Sequence, residues 1–138
     1  MLNEVILKWE KTNLNKLDDS EDTWFYMFTR GNNLLYIGIA YHQDVYREIK
    51  QSLRAFDIST LGLSVWLGYI VETDYGRITE QIVKDVECLL IYIHQPSYNT
   101  QCKSSYTGRN NLKVRNRGCP LLRRCVKIEG GMIYYTCR

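Results

Sequence analysis

Two short apolar runs, at residues 24–29 and 34–39, are the first clear pattern along the chain. Both are rich in aromatic and branched side chains, and the Gly-Asn-Asn segment 31–33 between them tolerates the positive φ angles of a tight turn. The pattern therefore predicts an antiparallel β-hairpin. A third run, 64–71, is continuously apolar, which is typical of a central strand covered on both faces.

Two further segments have the apolar spacing of amphipathic helices. Between 43 and 56, apolar residues recur at intervals of four, four and three: Val45, Ile49, Leu53 and Phe56. Between 78 and 93, a second apolar stripe is formed by Ile78, Ile82, Val86, Leu89, Leu90 and Ile93. These intervals place each set on one side of a helix. The second helix should end before Pro96, because the residue preceding a proline is disfavoured in helical geometry.

The two ends of the chain are less regular than its middle. Residues 1–22 are interpreted as an N-terminal extension, in which Leu14 and Leu17 are expected to anchor a short helix. Residues 23–100 contain the predicted hairpin, helices and third strand, and form the core. Residues 101–138 form a basic extension packed on that core or continuing it, with a second hairpin turning at a Gly-Gly pair.

Taken in order, these elements predict an α/β fold. We expect a small sandwich whose central mixed or antiparallel sheet has about three strands flanked by helices, with a C-terminal basic β-hairpin as an appendage. The chain has 138 residues, of which 45% are hydrophobic, and this is enough apolar material for a single packed core.

The overall charge of +3 hides an asymmetry along the chain. Residues 1–100 hold nine basic and 14 acidic side chains, a formal charge of −5. Residues 101–138 hold nine basic side chains and one acid, Glu129, a formal charge of +8. A segment this basic indicates a polyanionic partner.

Five cysteines and two histidines limit the metal chemistry that the chain supports. The cysteines are irregularly spaced without a Cys-x-x-Cys pair, so we expect reduced structural thiols, with a zinc site from the last four as the alternative. Two histidines are too few for a multi-histidine site. No apolar run approaches the roughly 20 residues of a membrane helix, and the N-terminus lacks the order of a secretory signal. We therefore expect a soluble cytoplasmic or otherwise intracellular protein without a membrane partner.

Five residues with candidate chemistry occur in a characteristic order: Tyr26, Tyr36, Arg47, Glu87 and Asn99. The two tyrosines are ten positions apart, and the second opens a literal Tyr-Ile-Gly signature. The arginine follows eleven positions later, and the asparagine closes a Pro-x-Tyr-Asn segment twelve positions after the glutamate. In these residues and spacings, residues 23–100 resemble the GIY-YIG nuclease family.

This resemblance implies a phosphodiester-hydrolysing site with one Mg²⁺ or Mn²⁺ ion bound by Glu87. A hard divalent ion suits a single carboxylate, because it keeps most of its waters. The guanidinium of Arg47 would stabilise charge on phosphoryl oxygens. Tyr26 and Tyr36 would handle the attacking water, with no choice between them as the base. Asn99 would donate to a phosphate or hold the catalytic loop through backbone hydrogen bonds.

Departures from the family pattern leave other functions open. The first signature reads Trp-Phe-Tyr, and Gln51 occupies a position where many members carry a histidine. Glutamine forms hydrogen bonds but does not shuttle a proton. The predicted function is a metal-dependent DNA endonuclease. The alternatives are a non-catalytic nucleic-acid-binding module on the same scaffold and a nuclease acting on RNA or branched DNA.

The basic C-terminal extension is the predicted contact with the substrate. Lys113, Arg115 and Arg117 are spaced by two, so a β-strand would place them on one face as phosphate contacts. The other candidate nucleic-acid contacts are Arg54, Lys103, Arg109, Arg123 and Arg124. The alternative is a solvated surface that balances an acidic body. Either this extension or a partner in a homodimer must position the substrate, and the oligomeric state is left open.

Overall fold

The computed structural model describes residues 2–12 and 22–137. These residues form seven strands and two helices: β1 (Asn3–Thr12), β2 (Trp24–Arg30), β3 (Asn33–Ala40), α1 (Val45–Ala55), β4 (Ser64–Thr73), α2 (Glu80–His94), β5 (Leu112–Arg117), β6 (Cys125–Glu129) and β7 (Met132–Tyr134). The helix expected around Leu14 and Leu17 lies outside the described residues.

All seven strands belong to one mixed sheet, in the order β3-β2-β4-β1-β5-β6-β7. The pair β1 and β5 is parallel, and the other neighbouring strands are antiparallel. The prediction of about three strands flanked by helices, with a separate C-terminal hairpin, is therefore wrong. The hairpin of β6 and β7 does form, but it continues the sheet through β5 because Val126 and Ile128 join the common core.

The strand at the centre of the sheet, β1, comes from the segment interpreted as an N-terminal extension. Its side chains alternate from Leu7 to Glu10, with Leu7 and Trp9 buried and Lys8 and Glu10 exposed, whereas Val5 and Ile6 before the bulge are both buried. Its neighbours β4 and β5 follow far along the chain, so local patterning does not show what this strand would pair with. By bonding to both of them, β1 joins the two halves of the sheet.

The two helices pack on opposite faces of the sheet. Tyr26 and Phe28 of β2 belong to the core cluster under α1, whereas the alternate residues Phe25 and Met27 belong to the cluster under α2. The second helix ends at His94, before Pro96 as the sequence predicts, and its C-cap Gln95 has a left-handed backbone conformation. Neither helix of the described residues has the length and apolar character needed to cross a membrane.

Four of the five cysteines are paired in the fold. Cys88 bonds to Cys102 and Cys125 bonds to Cys137, whereas Cys119 is a buried free thiol. The prediction of reduced thiols is therefore wrong for the four paired cysteines, which are also not free to bind zinc. The spacing of the cysteines along the chain did not reveal these pairs, because only the tertiary fold brings Cys102 close to Cys88 on α2 and Cys137 close to Cys125 on β6.

Candidate active site

The edge strand β3 is covered by the segment that follows α2. The backbone N–H of Ser97 donates to Leu34 O at 3.2 Å, and that of Tyr98 donates to Leu35 O at 2.8 Å. The buried Asn99 side chain continues this pairing: Oδ1 accepts from Ile37 N at 3.0 Å, and Nδ2 donates to Ile37 O at 2.9 Å. Asn99 therefore holds the loop through backbone hydrogen bonds, which is one of its two predicted roles.

The two tyrosines of the predicted site lie side by side on the α1 face. Their ring centroids are 6.1 Å apart, and the Tyr26 hydroxyl is 2.7 Å from the Ser52 hydroxyl of α1. Tyr36 packs against Phe56, with 5.0 Å between ring centroids. The Tyr26 ring has room because Gly38 lies opposite it on β3, where a Cβ atom would stand 2.7 Å from the ring carbon Cε2.

Both phenols are held in the protonated form. Burial raises the pKa of Tyr26 far above that of a free phenol, and the hydrogen bond to Ser52 offsets this only in part. Burial likewise raises the pKa of Tyr36. The charges of Glu48 and Glu87 raise the pKa of both tyrosines further. A phenol in this setting becomes a base only when positive charge is brought beside it.

The third element of the site is Glu87, on the face of α2 nearest β3. Its carboxylate opens into a cavity of about 110 Å³, which is lined by Tyr36, Phe56, Glu87, Ile91, Asn99, Thr100 and Gln101. Burial raises the pKa of Glu87 to about 7, although Lys84 lowers it. A half-buried carboxylate with this pKa lacks a compensating charge, and a cation in the cavity would supply one.

The donor set at Glu87 can be compared with what a divalent ion requires. Among the described residues there is no group of three or more His, Cys, Asp or Glu side chains that could enclose a metal. A zinc-type or calcium-type cage is therefore not formed by these residues. Mg²⁺ instead uses one or two carboxylates and retains several waters, so Glu87 in an open cavity fits a hydrated ion of this kind.

Arg47 does not line the cavity at Glu87. Its side chain is exposed on α1 and lines a second cavity of about 380 Å³ with His42, Gln43, Asp44, Glu48 and Gln51. Glu48 influences the pKa of the two tyrosines, but Arg47 is not among the groups that shift them. The structure thus brings together four of the five predicted catalytic residues, Tyr26, Tyr36, Glu87 and Asn99.

Sequence reasoning missed Ser52 and Glu48, which face the tyrosines from α1. Ser52 is buried, and it lies one helical turn after Glu48 and three residues after Ile49. A hydroxyl on the margin of an apolar stripe needs a hydrogen-bond partner when it is buried. That signal was present in the sequence, but the partner, Tyr26, is visible only in the fold.

Four of the predicted nucleic-acid contacts have internal partners, and Lys113 is one of them, with Nζ 3.4 Å from Glu4 Oε2. Arg109 Nε lies 2.6 Å from Oδ2 of the buried Asp85. Arg115 Nε lies 3.2 Å from Glu4 Oε2, and Lys103 donates to the carbonyl of Pro96. For Lys103 and Arg109 these contacts indicate a structural role.

The other four predicted contacts are exposed at the surface. Arg54, on the last turn of α1, is exposed, as are Arg123, Arg117 and Arg124. Arg115, Arg117 and Arg124 line a cavity of about 680 Å³ at the end of β5. The basic side chains are therefore divided between the interior and an open cleft.

No protein-family model, curated protein or solved structure matches this chain. The likeness to GIY-YIG nucleases thus remains a resemblance in a few residues and their spacing. What the chain does has to be argued from the side chains gathered at β3.

Proposed function

We propose that this protein is a metal-dependent endonuclease that hydrolyses phosphodiester bonds in DNA, with its site at the edge strand β3. The observation that supports this most strongly is the meeting of Tyr36, Glu87 and Asn99 around one small cavity. These residues come from a strand, a helix and a loop. Tyr26 stands beside them, hydrogen-bonded to Ser52.

In this proposal Glu87 binds one Mg²⁺ or Mn²⁺ ion. When bound, the ion would polarise a phosphoryl oxygen and lower the pKa of a coordinated water. Glu87 must be ionised to bind it, and the apolar surroundings that raise its pKa also strengthen its attraction for a cation.

The tyrosines would orient the attacking water. Either phenol would accept the water proton only in its ionised form, which requires positive charge beside it. Tyr36 lines the cavity, and Tyr26 lies behind it in a hydroxyl pair with Ser52. Asn99 keeps the loop against β3, so its role is to position the cavity wall. Arg47 contacts the substrate outside the cavity, on the exposed side of α1.

The deciding experiment compares plasmid nicking by wild type and Glu87→Gln in Mg²⁺ and in Mn²⁺. We expect the variant to lose cleavage by about 100-fold or more, since the amide does not supply the charge that the ion requires. Circular dichroism should show the same fold. Glu72→Gln, which removes an exposed carboxylate from β4, is the matched control and should cleave like wild type. Undiminished cleavage by Glu87→Gln would contradict the proposal.

A non-catalytic nucleic-acid-binding module is the second candidate. It is favoured by the raised pKa values of both tyrosines and by the position of Arg47, which lines a different cavity from Tyr36 and Glu87. Wild-type protein that binds DNA but cleaves neither plasmid, branched DNA nor RNA with either metal would establish it.

The intracellular location stays a prediction, and the two disulfides, which are typical of oxidising compartments, do not support it.

A further inference from the structure

Among the described residues, one half of the sheet has a face without a helix. Helix α1 packs on β2 and β3, whereas the same side of β1, β5, β6 and β7 carries no helix of the described residues. Burial alternates along β5: Leu112 and Val114 point into the core beneath α2, and Lys113 and Arg115 point to the other side. On that side Arg117 is exposed and Lys113 and Arg115 are partly exposed, although Ile6 and Cys125, opposite Arg115, are buried.

This side of the sheet is basic across several strands. Residues opposite each other in neighbouring strands share a face, and the pairing places Arg117 opposite Lys8 and Lys127 opposite Lys113. We define the basic face by its cations: Lys8, Lys113, Arg115, Arg117, Arg124 and Lys127. The carboxylates beside them are Glu4, Glu10, Glu129 and Glu72, the last of which shares the face through its partner Ile6. Six cations against four carboxylates leave a net positive surface.

The cleft lies at the end of β5, where Asn116 ties the strand to the end of the 118–124 loop. Its Oδ1 accepts from the indole of Trp9 at 3.0 Å, and its Nδ2 donates to Arg123 O at 2.9 Å. Its backbone N–H donates to Arg124 O at 2.8 Å. The backbone that carries Arg117 and Arg124 is therefore held on both sides of the 680 Å³ cleft, which exists before any ligand arrives.

Two exposed tyrosines lie next to the cations. Tyr134 is 41% exposed and Tyr135 is 47% exposed. The Lys127 ammonium lies 5.0 Å from the Tyr134 ring centroid, and the Arg123 guanidinium lies 5.4 Å from that of Tyr135. Unpaired bases stack on exposed aromatic rings while nearby cations contact the phosphates, whereas a duplex keeps its base faces covered.

We propose that the basic face, together with Tyr134 and Tyr135, binds single-stranded nucleic acid. Arg117 and Arg124 hold phosphates at the cleft, and the tyrosines stack on bases at the β7 edge. The exposed Lys8–Glu10 pair is worth little and does not hold its ammonium in place. Lys113 and Arg115, which share the partly buried Glu4, are not among the proposed phosphate contacts. The binding itself does not require the proposed cleavage, but the use of this strand as substrate rests on it.

The test is fluorescence anisotropy with a labelled oligothymidine of about 20 nucleotides and with a duplex of equal length, at roughly 50 and 200 mM salt. The protein is the Glu87→Gln variant in EDTA, so the result does not depend on cleavage. We expect tighter binding of the single strand. Arg117→Ala/Arg124→Ala should weaken it by about tenfold or more and flatten its salt dependence, because two phosphate contacts are lost.

Two further variants separate stacking from charge. Tyr134→Ala/Tyr135→Ala should weaken single-strand binding by about tenfold while leaving the weak duplex binding unchanged. Lys50→Ala/Arg77→Ala removes the same charge as the arginine variant from exposed positions off the basic face, and should bind like the parent. Tighter binding of the duplex, or parental affinity in both the arginine and the tyrosine variants, would overturn the proposal.

Discussion

Asp85 and Arg109 show how the setting of a single residue changes the interpretation of a charge. In the sequence, Arg109 belongs to a basic segment and is a candidate phosphate contact. In the fold its Nε lies 2.6 Å from the Asp85 carboxylate, which is buried and also accepts from Gln81 Nε2 at 2.8 Å. Its guanidinium also lies 5.5 Å from the Tyr75 ring. The arginine therefore neutralises a buried acid.

Replacing Arg109 by Ala should destabilise the protein by about 3 kcal/mol, because it leaves the Asp85 carboxylate buried without a charge partner. Urea denaturation at neutral pH measures this free energy of unfolding. Arg124→Ala, which removes an exposed arginine from the same segment, is the control and should change it by less than about 0.5 kcal/mol. Equal stabilities of the two variants would contradict the structural role of Arg109.

At the scale of elements, the hairpin of β2 and β3 determines where the phenols stand. Tyr26 lies opposite Gly38 in the antiparallel pairing, and the absence of a side chain at Gly38 leaves room for the phenol ring. The loop that follows α2 then adds to the free edge of β3 through Asn99. One strand edge thus brings the tyrosines, the loop and Glu87 together.

A methyl group at position 38 should displace the Tyr26 ring and break its hydrogen bond to Ser52. We expect Gly38→Ala to lower the free energy of unfolding by roughly 1–3 kcal/mol and to reduce cleavage at least tenfold. Thermal unfolding and plasmid nicking measure the two effects. Gly76→Ala is the control, since a Cβ there meets nothing within 4 Å. Wild-type cleavage by Gly38→Ala would show that the position of Tyr26 is not critical.

For the whole molecule, the raised pKa of Glu87 makes folding stability depend on pH. The pKa is about 7 in the folded chain against the ordinary value of 4.5, so between these values the folded state binds more protons than the unfolded state. Stability from this group is therefore fully present below about pH 4.5 and is lost as the pH rises through about 7.

Urea denaturation in EDTA tests this at about pH 5 and about pH 8. Relative to wild type, Glu87→Gln should gain roughly 2 kcal/mol between the two pH values, because its amide does not ionise in the folded state. Added Mg²⁺ should stabilise wild type more than the variant at the higher pH, if Glu87 binds the ion. A stability difference that is the same at both pH values would contradict the raised pKa.

Much of the local structure follows from periodicity alone. The hairpin of β2 and β3, both helices and β4 were predictable because alternation and helical spacing are properties of neighbouring residues. Part of the candidate site was predictable in the same way, because the spacing of its residues along the chain is a sequence pattern. The buried contacts of Ser52 and Asn99 were not, since each partner lies on another element.

The two helices, most strands, the order of the candidate residues and the concentration of positive charge at the C-terminal end follow from the sequence. That β1 joins the halves of a seven-stranded sheet, and which cysteines pair, is seen only in the fold. The fold also shows that Arg109 forms an ion pair with Asp85, whereas Arg117 and Arg124 line the cleft. The physical reason is that strand pairing, disulfides and ion pairs join residues that are far apart in the chain. A local sequence pattern does not identify such distant partners.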